Sequence, residues 1–148
     1  MFSVDRSQIG RRSAPCETEI EKGALRRFAE ALGVDNPLYY DLRAAQAAGF
    51  RNIPAPPTFG VTLPQNPVPG LVLPEAGLIH GEQEFCYGEP MVAGDTIGVS
   101  AWLEEAKSRR GARGNMTILT IMREATNQYG QIAFTARSVL VVMEELTP

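Results

Sequence analysis

Acid–base chemistry in this chain has few side chains to run on. The sequence holds one histidine, His80, and two cysteines, Cys16 and Cys86. These cannot build a zinc site with ordinary ligand spacing, so no metal centre is expected, and they exclude a disulfide framework. A Ser-His-Asp triad would have to use His80, and no Gly-x-Ser-x-Gly elbow accompanies it. As a general base His80 needs a carboxylate, for which Glu82 or Asp35 is available; the competing reading is a structural or surface histidine. Cys86, within Glu84-Phe85-Cys86-Tyr87, reads as a buried, inert thiol on a strand. No Gly-x-Gly-x-x-Gly and no Walker loop is present, so a nucleotide cofactor has no motif behind it. Lys107, Arg109, Arg110 and Arg113 form a basic run in an acidic chain. Such a run suits phosphate groups or an acidic partner, and equally a solvated hairpin tip kept soluble by charge.

The chain must position these groups within one domain, residues 1–148, since 148 residues is an ordinary domain length. An apolar content of 44% argues against disorder, and a net charge of −3 with a pI near 5.2 argues against a nucleic-acid binder. No apolar run approaches the ~18–20 residues of a membrane span. The N-terminus, with Asp5, Arg6, Arg11 and Arg12, lacks the apolar core of a secretory signal. The expected location is the cytoplasm.

Three stretches follow. From about Glu17 to Phe50 the pattern is helical, with Ile20, Ala24, Phe28 and Leu32 at helical spacing. Thr18 with Glu21 reads as a capping box, or Glu17 to Ile20 as a short strand before the helix; the sequence leaves both open. Gly33 is a stop signal, Asp35-Asn36-Pro37 a turn, and Asp41 a cap for a second helix, Leu42 to Ala48, closed by Gly49. Pro54 to Pro74 holds seven of the eleven prolines, so only Pro57 to Leu63 can be helical there and the rest is a covering loop. From Gly81 to Glu145 alternation predicts four strands in an antiparallel meander. One carries Gln83, Phe85 and Tyr87 on a face. The next carries Ile97, Val99, Ala101 and Leu103. Met116, Ile118, Thr120 and Met122 alternate in the third, and Ile132, Phe134 and Ala136 lead to Val139–Met143 in the last. Gly94-Asp95, residues 107–114 and Asn127 to Gly130 are the predicted turns. Helices followed by one antiparallel sheet give an α+β class.

The order Asp35-Asn36-Pro37-Leu38-Tyr39-Tyr40-Asp41, Ala45 to Phe50, Ala55-Pro56-Pro57-Thr58-Phe59, Gly81-Glu82-Gln83-Glu84-Phe85 and Pro90-Met91-Val92-Ala93-Gly94-Asp95 resembles the MaoC-like hydratases and dehydratases. It is most similar to their N-terminal-domain branch, which includes non-catalytic subunits of heterodimeric 3-hydroxyacyl-thioester dehydratases. The resemblance implies a hot-dog fold, a bent antiparallel sheet wrapped around a helical layer. It implies an acyl thioester of coenzyme A or acyl carrier protein as substrate, no separate cofactor, and a side-by-side dimer with itself or with a catalytic partner subunit.

Catalytic members carry Asp-x-Asn-Pro-(Leu/Ile/Val)-His. Adding water across a 2-enoyl thioester needs a base for the water and an acid for the α-carbon, held within hydrogen-bond reach, and a donor for the thioester oxygen. Laid on this sequence, Asn36, Pro37 and Leu38 match, but Val34 stands at the aspartate position and Tyr39 at the histidine position. Val34 accepts no proton, and a phenol with a pKa of ~10 is a poor base. Asp35 lies one residue off the motif. The resemblance therefore implies a substrate-binding hydro-lyase component without its own dyad. Asn36, Tyr39, Thr58, Phe59 and Gly60 are the expected substrate contacts, and Arg109, Arg110 and Arg113 the expected phosphate contacts. Pro64 cuts the family's central helix short, which implies a differently shaped tail channel. Two alternatives stay open: an active homo-oligomeric hydratase using His80 or Asp35, and an acyl-CoA thioesterase or binding module using one carboxylate such as Asp35, Asp41 or Glu82.

Overall fold

The computed structural model describes residues 1–111 and 114–144. Its elements are β1 (Ser3–Val4), β2 (Cys16–Glu19), α1 (Lys22–Ala31), α2 (Leu42–Ala47), β3 (Leu71–Val72), β4 (Leu78–Tyr87), β5 (Thr96–Gly111), β6 (Gly114–Thr126) and β7 (Ile132–Glu144). Short 3-10 helices span Pro37–Tyr39 and Pro57–Thr62. Strands β2, β5, β6, β7 and β4 form one antiparallel sheet in that order, and β1 pairs with β3 in a separate ribbon. This is the hot-dog arrangement: a long sheet curled over a helical layer.

The local signals in the sequence act where they stand. Between the capping box and the strand, the strand forms: Cys16–Glu19 pairs with Ile97 and its neighbours on β5. Gly33 adopts φ +70° after α1, a conformation that costs glycine little. Asp41 accepts from the Arg43 and Ala44 amides and so starts α2.

The meander is corrected in two ways. Strand β4 lies beside β7, not β5, so only β5, β6 and β7 follow one another; β2 closes the opposite edge. Residues 107–111 are also strand, not loop, because the β5–β6 ladder runs on through Arg109 opposite Met116 and Arg110 opposite Asn115. On β6 the core-facing set is Thr117, Leu119, Ile121, Arg123 and Ala125, and Met116, Ile118 and Met122 turn to the outer face. Both sets are largely apolar, so alternation alone could not choose between them.

Two packed regions cover the inner face. At one end α1, α2 and the Pro57–Thr62 helix bury Leu25, Ala45, Phe59 and Leu63 against Ile97, Val99, Phe134 and Ala136. Here Phe28 meets Phe59 edge-on at 5.3 Å, and Phe85 meets Phe134 likewise at 5.3 Å. Gly60 sits against these rings so closely that a Cβ would lie 2.8 Å from Phe134 Cε1. At the other end the helical layer has stopped at Pro64. Val68 and Leu71, with Phe2 and Val4 from the N-terminal ribbon, pack on Ala101, Leu103, Leu119 and Leu140 instead. This end of the inner face is therefore covered by side chains of the proline segment and the N-terminal ribbon.

One buried carboxylate ties the turns at the helical end. Asp95, 1% exposed, takes both oxygens to Arg51 Nη2 (3.1 Å each), with Gln128 Nε2 donating to Oδ1 and the Val92 amide to Oδ2. These donors come from the loop after α2, the β6–β7 turn and the β4–β5 connection. Asp95→Asn turns an amide group toward donors and removes the charge that Arg51 faces. We expect it to lower the unfolding free energy by about 2–3 kcal/mol in urea titrations, through loss of charge-assisted bonds to a buried group.

Candidate functional site

An open cleft of about 230 Å³ lies beside the helical end of the sheet. Three segments distant in sequence form it. The 3-10 turn at Pro37–Tyr39 contributes Tyr39, the proline segment contributes Pro54–Pro57, and the end of β4 with its following turn contributes Tyr87–Met91. Phe50 and Ala133 complete the wall.

Each segment is held for a local reason. Asn36 Oδ1 accepts the Leu38 amide at 3.1 Å and starts the turn that presents Tyr39. Tyr40 donates its hydroxyl hydrogen to the Val34 carbonyl, which fastens the turn to the end of α1. Pro54 bridges to Val92, and the Ala55 amide donates to the Met91 carbonyl at 2.9 Å. Tyr87 Oη donates to the Pro57 carbonyl at 2.7 Å, joining the end of β4 to the 3-10 helix. Slight desolvation raises the Tyr87 phenol above its usual pKa.

The 3-10 helix is anchored from below by Arg123. This side chain is 9% exposed on the inner face of β6. Nη1 donates to the Gly60 carbonyl (3.1 Å) and Nη2 to that of Leu63 (2.6 Å), and Nε has no partner. Desolvation pulls its pKa below the ordinary arginine value, and no carboxylate pairs with it among the described residues.

The walls are chiefly apolar. The polar groups in the lining are two phenols, Tyr39 and Tyr87, and one carboxylate, Glu89; no imidazole lines it among the described residues. Such a cleft holds an apolar chain and offers hydroxyl groups to a polar head. It presents no imidazole–carboxylate pair for moving a proton between carbon and water.

Of the substrate contacts expected from the sequence, Tyr39 lines the cleft. Asn36 caps its turn, Thr58 is exposed, and Phe59 and Gly60 are buried in the core under the 3-10 helix. Val34 is half-buried and spends its amide on Ala29 and its carbonyl on Tyr40. Asp35 is exposed beside it. His80 is exposed near the start of β4, its Nε2 3.0 Å from the Glu82 carbonyl at a bulge. Asp41 serves as a helix cap, and Glu82 pairs with Arg137 at 2.9 Å.

Cys86 is corrected: it is exposed, not buried, because it points to the outer face of an edge strand that nothing covers. Arg109 and Arg110 project to opposite faces of the β5–β6 hairpin. About a dozen residues, ~40 Å of strand, separate them from the cleft end of the sheet. Arg113 lies outside the described residues. Sequence reasoning missed Tyr87 and Glu89 as cleft groups, and read the proline segment as a covering loop without singling out Pro54–Pro57 as the wall. The one available signal was Arg123, a charge placed in register with Leu119, Ile121 and Ala125.

Among known proteins, residues 7–136 match the family described as FAS1-like, dehydratase domain region. A UPF0336 protein of Saccharopolyspora erythraea is 37% identical over 145 residues, 93% of this chain and 90% of its own length. A UPF0336 protein of Streptomyces coelicolor is 35% identical over 147 residues, 95% of each chain. Among solved structures, the HadBC (3R-hydroxyacyl-ACP dehydratase) complex of Mycobacterium tuberculosis superposes with a TM-score of 0.73 at 20% identity, over 90% of this chain and 96% of that one. The ChsH1-ChsH2 complex of the same organism gives 0.75 at 20% identity, over 93% and 92%. The R-hydratase PhaJ1 of Pseudomonas aeruginosa gives 0.67 at 19% identity, over 98% and 89%. These structural likenesses share the hot-dog fold.

Proposed function

This chain belongs to the family of FAS1-like dehydratase regions, and we propose that within it the chain is the substrate-holding, non-catalytic subunit of a two-chain 3-hydroxyacyl-thioester dehydratase of the MaoC-like type. The observation that carries this reading is the cleft itself. It has apolar walls, and its lining includes a phenol, Tyr39, which in the motif resemblance takes the position of the dyad's histidine. The neighbouring Val34 is tied into the backbone of the turn.

Dehydration of a 3-hydroxyacyl thioester removes a proton from Cα and hydroxide from Cβ. The proton needs a base, and the leaving hydroxide an acid. In this reading a partner subunit supplies both groups. This chain binds the acyl portion of a coenzyme A or carrier-protein thioester against Pro54–Pro57, Phe50 and Met91. Tyr39 offers a hydrogen bond at the cleft mouth. No cofactor enters the reaction, and the cytoplasm is its setting. Support comes from two-chain complexes among the structural relatives, HadBC and ChsH1-ChsH2. No helix among the described residues is long and apolar enough to cross a membrane.

The test is to purify the chain alone and assay crotonyl-CoA hydration. The expected result is no turnover above the uncatalysed rate, with acyl-CoA binding still measurable by calorimetry. Robust hydration by the lone chain would overturn the reading. Glu89 supports a second reading, thioester hydrolysis by one carboxylate that activates water, because it is the carboxylate in the cleft lining. Release of free thiol by the wild type, abolished in Glu89→Gln, would establish that alternative instead.

A further inference from the structure

The cleft is short of anything that can hold an anion. No lysine, arginine or histidine lines it among the described residues, and its one charged group is the carboxylate of Glu89. Glu89 is in no ion pair among the described residues. Arg51, next to the lining residue Phe50 in sequence, spends Nη2 on both oxygens of Asp95.

Backbone donors are equally scarce. Pro54, Pro56, Pro57 and Pro90 have no amide hydrogen to offer. The amides of Tyr39, Phe50, Ala55, Gly88 and Glu89 already donate to the carbonyls of Asn36, Ala45, Met91, Ala133 and Ile132. The Tyr87 hydroxyl hydrogen goes to the Pro57 carbonyl. Among the side chains of the lining, that leaves the Tyr39 hydroxyl as the donor open to a ligand.

The size of the cleft makes the carboxylate hard to avoid. A volume of about 230 Å³, drawn as a sphere, is ~8 Å across, one screening length at physiological salt. A charged group seated inside therefore stays within the field of Glu89. An apolar or hydroxylated acyl end feels little of this. An acyl end that is itself a carboxylate gives up its water, gains one hydroxyl donor and faces a like charge.

We infer that Glu89 and the donor-poor wall around it set the specificity of the cleft: it takes acyl groups whose far end is uncharged and rejects those that end in a second carboxylate. Rejection of this kind places an unfavourable contact against the wrong ligand and needs no better contact for the right one. The inference rests on the acyl-binding reading above and narrows the class of acyl group that the cleft takes.

The experiment measures binding of pentanoyl-CoA and glutaryl-CoA to the full chain by calorimetry. The two ligands share the coenzyme A head and the length of the acyl chain, and differ in a terminal methyl against a carboxylate. Their affinity ratio therefore isolates the charge. Wild type is expected to prefer pentanoyl-CoA at least about thirtyfold. E89Q, close in shape, is expected to narrow that preference about five- to tenfold through tighter glutaryl-CoA binding. E89D keeps the charge and is expected to keep most of the preference. Raising the salt from about 0.05 M to about 0.5 M is expected to narrow the ratio more in wild type than in E89Q. Equal affinity of wild type for the two ligands overturns the inference, and so does a ratio that E89Q leaves where it was. If circular dichroism shows that E89Q does not fold, the salt series on wild type decides, and a ratio unmoved by salt sinks the inference. Hydration of crotonyl-CoA by the lone chain would refute the non-catalytic reading and leave this ratio as it is. Failure to bind pentanoyl-CoA at all would refute both.

Discussion

Gly88→Ala is expected to lower the unfolding free energy by about 3 kcal/mol or more, and to weaken acyl-CoA binding with it. A Cβ on Gly88 falls 2.2 Å from the carbonyl oxygen of Ile132 and 3.2 Å from its carbonyl carbon. No rotamer relieves that contact, because the obstacle is backbone. Neither strand can simply step aside. The Gly88 amide donates to the Ala133 carbonyl at 2.9 Å, and the Glu89 amide to the Ile132 carbonyl at 2.8 Å. To admit one methyl group the end of β4 must part from β7, breaking at least one of these bonds. Glycine inside or beside a strand often marks such a close backbone approach. The residues on either side, Tyr87 and Glu89, both line the cleft, so the damage reaches the site directly. Urea titration followed by acyl-CoA calorimetry measures both effects. Wild-type stability in the variant would show that the two backbones have room to separate.

The second large effect is expected at Arg123. Arg123→Met keeps an apolar stem of similar reach and removes the guanidinium fork. The carbonyls of Gly60 and Leu63 then lose their charged donor in a buried setting. Hydrogen bonds to a charged group contribute ~1.5–3 kcal/mol each, and an orphaned buried carbonyl carries its own penalty. Against this, methionine relieves the desolvation of an unpaired cation and of the partnerless Nε. The net loss is expected at about 2–4 kcal/mol, since the Leu63 carbonyl is stranded, the Gly60 carbonyl keeps only a long bond from the Leu63 amide (3.4 Å), and one charge is spared. Because Tyr87 reaches the same 3-10 helix through Pro57, loosening that helix also frees one wall of the cleft. Arg123→Lys, with a single donor head, is expected to fall between wild type and Met in the same denaturation experiment. A methionine variant as stable as wild type would show that the helix is held by packing alone.

Much of the fold was legible because short-range chemistry specified it. Gly33, Asp41 and Gly49 mark real boundaries, and the proline cluster limits helix to Pro57–Thr62. The motif order pointed to the hot-dog fold and to a dehydratase family. What could not be read depends on contacts between distant segments. Strand β4 prefers β7 over its neighbour in sequence, a choice made across about fifty residues. On β6, Arg123 faces inward and Ile118 outward, the reverse of a simple hydrophobic rule. The reason is that the carbonyls of Gly60 and Leu63 at the end of the 3-10 helix accept from the guanidinium inside. Cys86 looked buried because its strand is apolar in places, but an edge strand has one face without cover. Tyr39 was found through its motif position. Tyr87 and Glu89 were not, since nothing near them in sequence signals that Pro54–Pro57 folds across to meet them.

The proline-rich strap also answers a solvation problem. Irregular chain laid over an apolar sheet strands amide hydrogens away from water, each one a donor without an acceptor. Pro64, Pro67 and Pro69, in the stretch that crosses toward Val68 and Leu71, have no amide hydrogen to strand. Their rings also narrow the conformations open to the unfolded strap, so less freedom is lost when it docks. A segment of this kind can seal greasy surface without forming a regular helix over it.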